Sequence, residues 1–122
     1  LLKSKEARDK LTEVTKMTYN APLIILVCYN EDEAWKSPTE DFNTGTIDCS
    51  IVATHMMLQA FDDGVGSVWI RGYDTKKVEE AFGLPHNEHI VSFIDFGYPQ
   101  DGVVPSAMHS KNKQLDEFVK YL

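Results

Sequence analysis

Few side chains in this sequence are spaced for chemistry. His86 and His89 stand three apart around Glu88, but they lie in a Pro-Asn loop with no second ligand pair. A metal site needs three or four donors converging on one point, so these read as surface histidines. His55 falls within a long apolar segment, where a satisfied buried histidine is expected rather than a catalytic base. Cys28 and Cys49 have no CxxC partner and no nucleophile motif around them, so both read as structural thiols. There is no GxGxxG and no Walker loop, and Gly64-Val65-Gly66 does not follow a strand, which excludes a dinucleotide fingerprint. Asp95, inside an apolar run, is the one local contradiction: it must pair, face an edge or lie near a site. A chain without an acid–base set is compatible with chemistry done by a bound cofactor, which the protein only holds, orients and tunes.

The segment that must position anything of this kind runs from Thr46 to Tyr73. Its first part reads as a helix with Thr46 as N-cap, Asp48 in the first turn and Gly64 as the stop. Stepping about 100° per residue leaves Asp48, His55, Gln59 and Asp62 on one narrow stripe and covers most of the rest with apolar residues. A helix that apolar belongs in a core or at a subunit interface. After the stop, Ser67–Ile70 reads as a short buried strand, and Arg71-Gly72 ends it. Glycines on both sides of a strand end allow a ligand to approach the main chain closely; they are equally consistent with a tight connection and a turn.

The remaining elements support that centre. Residues 3–18 read as a surface helix with Ala7, Leu11, Val14 and Thr18 inward, ended by Asn20-Ala21-Pro22. Leu23–Tyr29 is a continuous apolar run expected as a central strand covered on both faces. Residues 30–45 form an acidic, irregular loop holding Trp35 and Phe42, either solvated or a cover over a pocket. Asp74 caps a short helix, Thr75–Phe82, stopped by Gly83; Ile90–Phe96 is another buried strand. A polar tail leads to a final amphipathic helix, Gln114–Leu122, with Leu115, Phe118, Val119 and Leu122 on one face. Helices layered over a small sheet give an α+β (α/β layered) fold in one domain, 1–122. Three strands are few, and cover from a partner subunit is expected.

The 122 residues carry 19 acidic against 12 basic side chains, a net charge of −7. That balance argues against a nucleic-acid partner and against an anionic membrane surface. No apolar run approaches the ~18 residues of a membrane span, and two unpaired-looking cysteines favour a cytoplasmic setting.

The blocks Asp48-Cys49-Ser50-Ile51, Gly64-Val65-Gly66-Ser67-Val68-Trp69-Ile70-Arg71-Gly72-Tyr73-Asp74, Phe82-Gly83-Leu84-Pro85 and Phe96-Gly97-Tyr98-Pro99, together with Asn20–Val27, resemble in order and spacing the C-terminal two-thirds of a nitroreductase-family flavoprotein. The resemblance implies a nitroreductase-like fold, a central sheet flanked by helices in an intertwined homodimer, with a C-terminal segment reaching across the partner. It implies FMN as cofactor and NAD(P)H as co-substrate, with a hydride passed to the flavin and electrons then passed to a small nitroaromatic, quinone or similar acceptor. Trp69, Ile70, Arg71 and Gly72 match the family segment beside the isoalloxazine, where main-chain N–H groups can polarise the ring. Ser110, Lys111 and Asn112 fall where the family places basic residues for the phosphate; Asn112 stands where arginine is typical. The family's N-terminal helices, with their arginine-rich phosphate motif, have no counterpart in this sequence. It therefore reads as a shortened member, a processed piece or a recombinant fragment. The alternative is a truncated relative that folds and dimerises but binds flavin weakly or not at all.

Overall fold

The structure, a computed structural model, describes residues 1–121. In chain order the elements are α1 (Lys5–Val14), β1 (Leu23–Asn30), α2 (Gly45–Asp62), β2 (Gly66–Ile70), α3 (Thr75–Phe82) and β3 (Glu88–Gly97), followed by two 3-10 turns, Ala107–Ser110 and Leu115–Glu117. The three strands form one antiparallel sheet in the order β1-β3-β2.

The middle place goes to β3, whose residues Ile90 to Phe96 are all buried. This corrects the expectation that Leu23–Tyr29 is central. β1 does have apolar cover on both faces, from Ile24 on one side and Val27 on the other. An alternation of burial reports the two faces of a strand and says nothing about its edges. Among the described residues the outer edge of β1 pairs only with Leu2, whose amide donates to the Ile24 carbonyl at 2.7 Å.

Two apolar layers sandwich the sheet. On one face Leu11 of α1, Val78 of α3, Ile24, Ile70 and Phe93 pack together. On the other, Ala53 of α2 packs with Val27, Ile94 and Phe96, and Cys49, Met56, Met57 and Ala60 extend the contact.

Local chemistry sets the helix ends. The Ser4 hydroxyl accepts from the Ala7 amide at 3.1 Å and starts α1. The helix ends at Thr15, whose hydroxyl accepts from the Met17 amide at 3.2 Å, a local bond that competes with further helix. The expected helix over 3–18 is thus shortened at both ends. Tyr19 and Asn20 then adopt left-handed φ values of 43° and 55°, reversing the chain into β1. α2 starts at Gly45 rather than just after Thr46; the Gly45 amide donates to the Asn43 side-chain oxygen at 3.0 Å, and a side chain at 45 would overlap the Tyr29 ring. α3 is capped by Asp74, which accepts from the Lys77 amide at 3.3 Å, and is closed by Gly83 at φ 62°.

The expected final helix is not formed. Only Leu115–Glu117 makes a turn, and Leu115 and Phe118 are 59% and 62% exposed. A short helix needs a surface to bury its apolar stripe, and one chain offers none there. Leu122 lies outside the described residues.

Candidate cofactor site

β2 and the turn after it carry the first group of candidate residues. The strand is pinned from both sides: Trp69 packs into the α2 layer and Ile70, 3% exposed, into the opposite one. Tyr73 anchors the far end of the turn, its ring 4.8 Å from that of Phe93 and its amide donating to the Arg71 carbonyl at 3.0 Å. Burial pushes the Tyr73 hydroxyl up to about 12. Between these anchors Arg71 and Gly72 are exposed. The Arg71 guanidinium is held in place: Nη1 donates to the Thr75 hydroxyl at 3.0 Å, and the group lies 5.2 Å from the Tyr73 ring centroid.

Two features leave this main chain available. β2 pairs with β3 alone among the described residues, so its other edge presents unpaired N–H and C=O groups. The amides of Arg71 and Gly72 donate to no other main-chain group among the described residues. The flanking glycines differ in a useful way. A Cβ on Gly66 would sit a tight 3.0 Å from the Gly97 carbonyl oxygen, so the close pairing of β2 with β3 favours that glycine. A Cβ on Gly72 would meet only the Met17 methyl, at an ordinary 3.6 Å, and the residue's φ is not left-handed. Nothing within the fold requires glycine at 72, which is what a close ligand approach would require.

Ser110, Lys111 and Asn112 lie elsewhere. They close the first 3-10 turn, whose start is capped by the Ser106 hydroxyl accepting from the Met108 amide at 3.2 Å, and all three are exposed. No hydrogen bond or ion pair joins residues 98–121 to the sheet or its helices among the described residues. The chain therefore brings Trp69–Gly72 together as one strand end, with Ile70 buried and Arg71 and Gly72 exposed, and leaves the phosphate-side residues apart from it.

The histidines depart from expectation in one respect. His55 is exposed, because its stripe of α2 faces away from the sheet; it rims a shallow depression of about 480 Å³ with Thr46, Ile47, Ser50, Ile51 and Thr54. His89 is half-buried, stacked 5.3 Å from Tyr29 and 3.1 Å from the Glu31 carboxylate. Asn87 ties the same corner together, donating to Asp32 at 2.7 Å and to Asn30 at 3.3 Å. The loop 31–44 is thereby clamped at its base, and its arms pair Trp35 with Thr44 and Ser37 with Phe42, which leaves both aromatic residues exposed. Both cysteines are free; burial pushes the Cys28 thiol up to about 11 and raises Cys49 as well.

Sequence reading missed Thr75 and Tyr73 as the holders of Arg71. The signal was present, since Thr75 follows Arg71 by one helical turn at the start of α3. Met17 beside Gly72 had no local signal, because that contact is made across the fold.

Comparison with known proteins identifies the class. The nitroreductase family model matches residues 2–98, and the chain belongs to that family. It is 32% identical over 106 residues to a Bacillus subtilis (strain 168) protein named "Putative NAD(P)H nitroreductase YfhC", covering 80% of this chain and 52% of that one. The crystal structure of a nitroreductase family protein from Clostridium difficile 630 matches with a TM-score of 0.89 at 34% identity, over 98% of this chain and 70% of the other. An oxidoreductase containing FMN shares the fold, with a TM-score of 0.68 at 16% identity over 83% of this chain and 54% of its own. The chain spans about half the length of the curated relatives it matches. The α+β, nitroreductase-like fold expected from the sequence is the one observed.

Proposed function

We propose that this chain forms part of an FMN-dependent oxidoreductase that carries electrons from NAD(P)H to a nitroaromatic, quinone or similar small acceptor, working as a homodimer in the cytoplasm. The observation that carries this reading is the strand end at Trp69–Gly72: exposed Arg71 and Gly72 amides with no other main-chain acceptor among the described residues, an open strand edge and a glycine the fold does not need, in a member of the nitroreductase family.

The residues present fit a flavin ring better than they fit its phosphate. Free N–H groups at Arg71 and Gly72 suit hydrogen bonding to the polar edge of an isoalloxazine. The Arg71 guanidinium, fixed by Thr75 and Tyr73, places positive charge where a reduced flavin carries negative charge. Lys111 and Lys113 offer only point charges on the exposed tail, and they reach the same ligand only if that tail is brought over. Bound FMN would supply the two-electron chemistry; the chain's own part is to hold the ring's edge and exclude water from it.

The homodimer rests on α2. Its outward face exposes Ile47, Ile51, Val52, Leu58 and Phe61, the last 81% exposed, on the helix whose other face packs on the sheet. Exposed apolar side chains contiguous along one helix mark an interaction surface. A second copy would cover this face and supply the surface that Leu115 and Phe118 lack.

The test is to saturate the purified protein with FMN, remove the excess by gel filtration, and add NADH or NADPH without oxygen. The expected result is retained flavin whose visible absorbance bleaches with one or both nucleotides, and weaker retention by Gly72→Val in a protein with unchanged far-UV circular dichroism. A folded dimer that retains no flavin would sink the enzymatic reading and leave the non-catalytic relative.

A further inference from the structure

Asp95 serves neither the apolar core nor the candidate cofactor site. It sits within β3, 3% exposed, and neither carboxyl oxygen has a hydrogen-bond partner among the described residues. Its partners across the sheet are Ile24 on β1 and Val68 on β2, and the pleat puts all three on the face that carries Phe93. Those two neighbours differ: Ile24 is fully buried, while Val68 is 42% exposed. The short way for water to the carboxyl is past Val68.

No charged partner among the described residues offsets the burial. On this face the neighbouring strand residues Ile24, Leu26, Val68 and Ile70 are apolar. In the layer above, Tyr73 brings a hydroxyl that is itself buried and unpartnered. Lys5, Arg8 and Asp9 of α1 rim a cavity beside Ile24, and Glu79 of α3 is engaged by the Ile90 amide at 3.0 Å. α2 lies on the opposite face. Burial pushes the Asp95 carboxyl up to about 7.

We propose that Asp95 is a proton-operated latch on β2: neutral, it lies closed between Ile24 and Val68; ionised, it draws water in past Val68 and releases β2, with the Trp69–Gly72 turn, from β3. A carboxylate without a partner is costly to bury, and of the two outer strands β2 is the shorter and holds the exposed Val68 beside Asp95, so it is the one that can yield. The sign follows from linkage. The closed state binds the proton more tightly than the open one, so opening releases a proton. The latch is firmest at acid pH, weakens as pH rises from the ordinary carboxyl value of 3.8 toward about 7, and changes no further above that. The inference stands on the sheet alone and does not depend on FMN.

Residue-resolved hydrogen exchange of the native protein, from about pH 5 to about pH 8 and corrected for intrinsic exchange, reads the latch directly. Opening of the β2 amides should rise by up to about tenfold per pH unit and level off above neutrality. β1 and α1 should show no such slope, and Asp95→Asn should flatten β2. An equal slope in Asp95→Asn, or one shared by all three strands, overturns the proposal. Should Asp95→Asn fail to fold, Asp95→Leu takes its place. The carboxyl-carbon NMR titration of Asp95 in the unaltered protein needs no variant at all. A midpoint near neutrality supports the latch, and a midpoint at or below the ordinary carboxylate range refutes it, because some donor must then pair with Asp95.

Discussion

The two layers that cover the sheet are built on opposite patterns. α1 and α3 are amphipathic: Leu11 and Val78 are fully buried, and lysines and acidic side chains occupy the outer faces. That layer is finished within one chain. α2 is apolar nearly all round, and only its Cys49, Ala53, Met56, Met57 and Ala60 side meets the sheet. Its other side exposes Ile47, Ile51, Leu58 and Phe61 to solvent beside the polar stripe of Asp48, His55, Gln59 and Asp62. The strength of an apolar pattern thus measures how much surface must be covered, and only amphipathicity shows that a single chain covers it. The same contrast separates the sheet from the tail, where Leu115 and Phe118 have a helical spacing but nothing to pack on.

Substitutions on the two layers should separate folding from association. Phe93→Ala, beneath α1 and α3, removes a ring with no exposed surface and should cost about 3–5 kcal/mol, read by denaturant unfolding. On α2, Leu58→Asp or Phe61→Asp should leave the monomer's far-UV circular dichroism unchanged. Each should weaken self-association by roughly ten- to a hundredfold, as expected for losing an apolar contact worth about 1.5–3 kcal/mol. If either instead unfolds the chain as Phe93→Ala does, the outer face of α2 belongs to the fold and the contrast fails. Asp74→Ala removes the α3 cap and should cost about 1 kcal/mol, visible as a small drop in unfolding midpoint. The smallest effect is chemical. Cys28, whose thiol burial pushes up to about 11, should alkylate slowly at neutral pH and faster as pH rises above the ordinary thiol range, followed by mass spectrometry.

Much of this was legible in the sequence. Asp74, Gly83 and Gly64 mark helix ends by side-chain and backbone chemistry confined to a few residues, and each fell where expected. The two apolar runs declared β1 and β3 as strands. Which run is central was not legible, because strand order depends on pairing between residues some seventy apart in sequence. The starts of α1 and α2 shifted for reasons of contact: Ser4 caps one, and the Asn43 side chain accepts from the first amide of the other. His55 was misplaced although it lies on the polar stripe of α2, because a helix apolar over most of its surface does not say whether that stripe faces solvent or a partner. The Trp69–Gly72 segment was found through family resemblance. The reason it suits a ligand, an unneeded glycine at an open edge, is visible only in three dimensions.

The measurement that bears most directly on the account is sedimentation velocity of the FMN-equilibrated protein, followed at both the protein and the visible flavin absorption bands. The account predicts a dimer boundary that carries the flavin. Flavin sedimenting as free small molecule beside a folded protein, or protein that remains monomeric at high concentration, would contradict it.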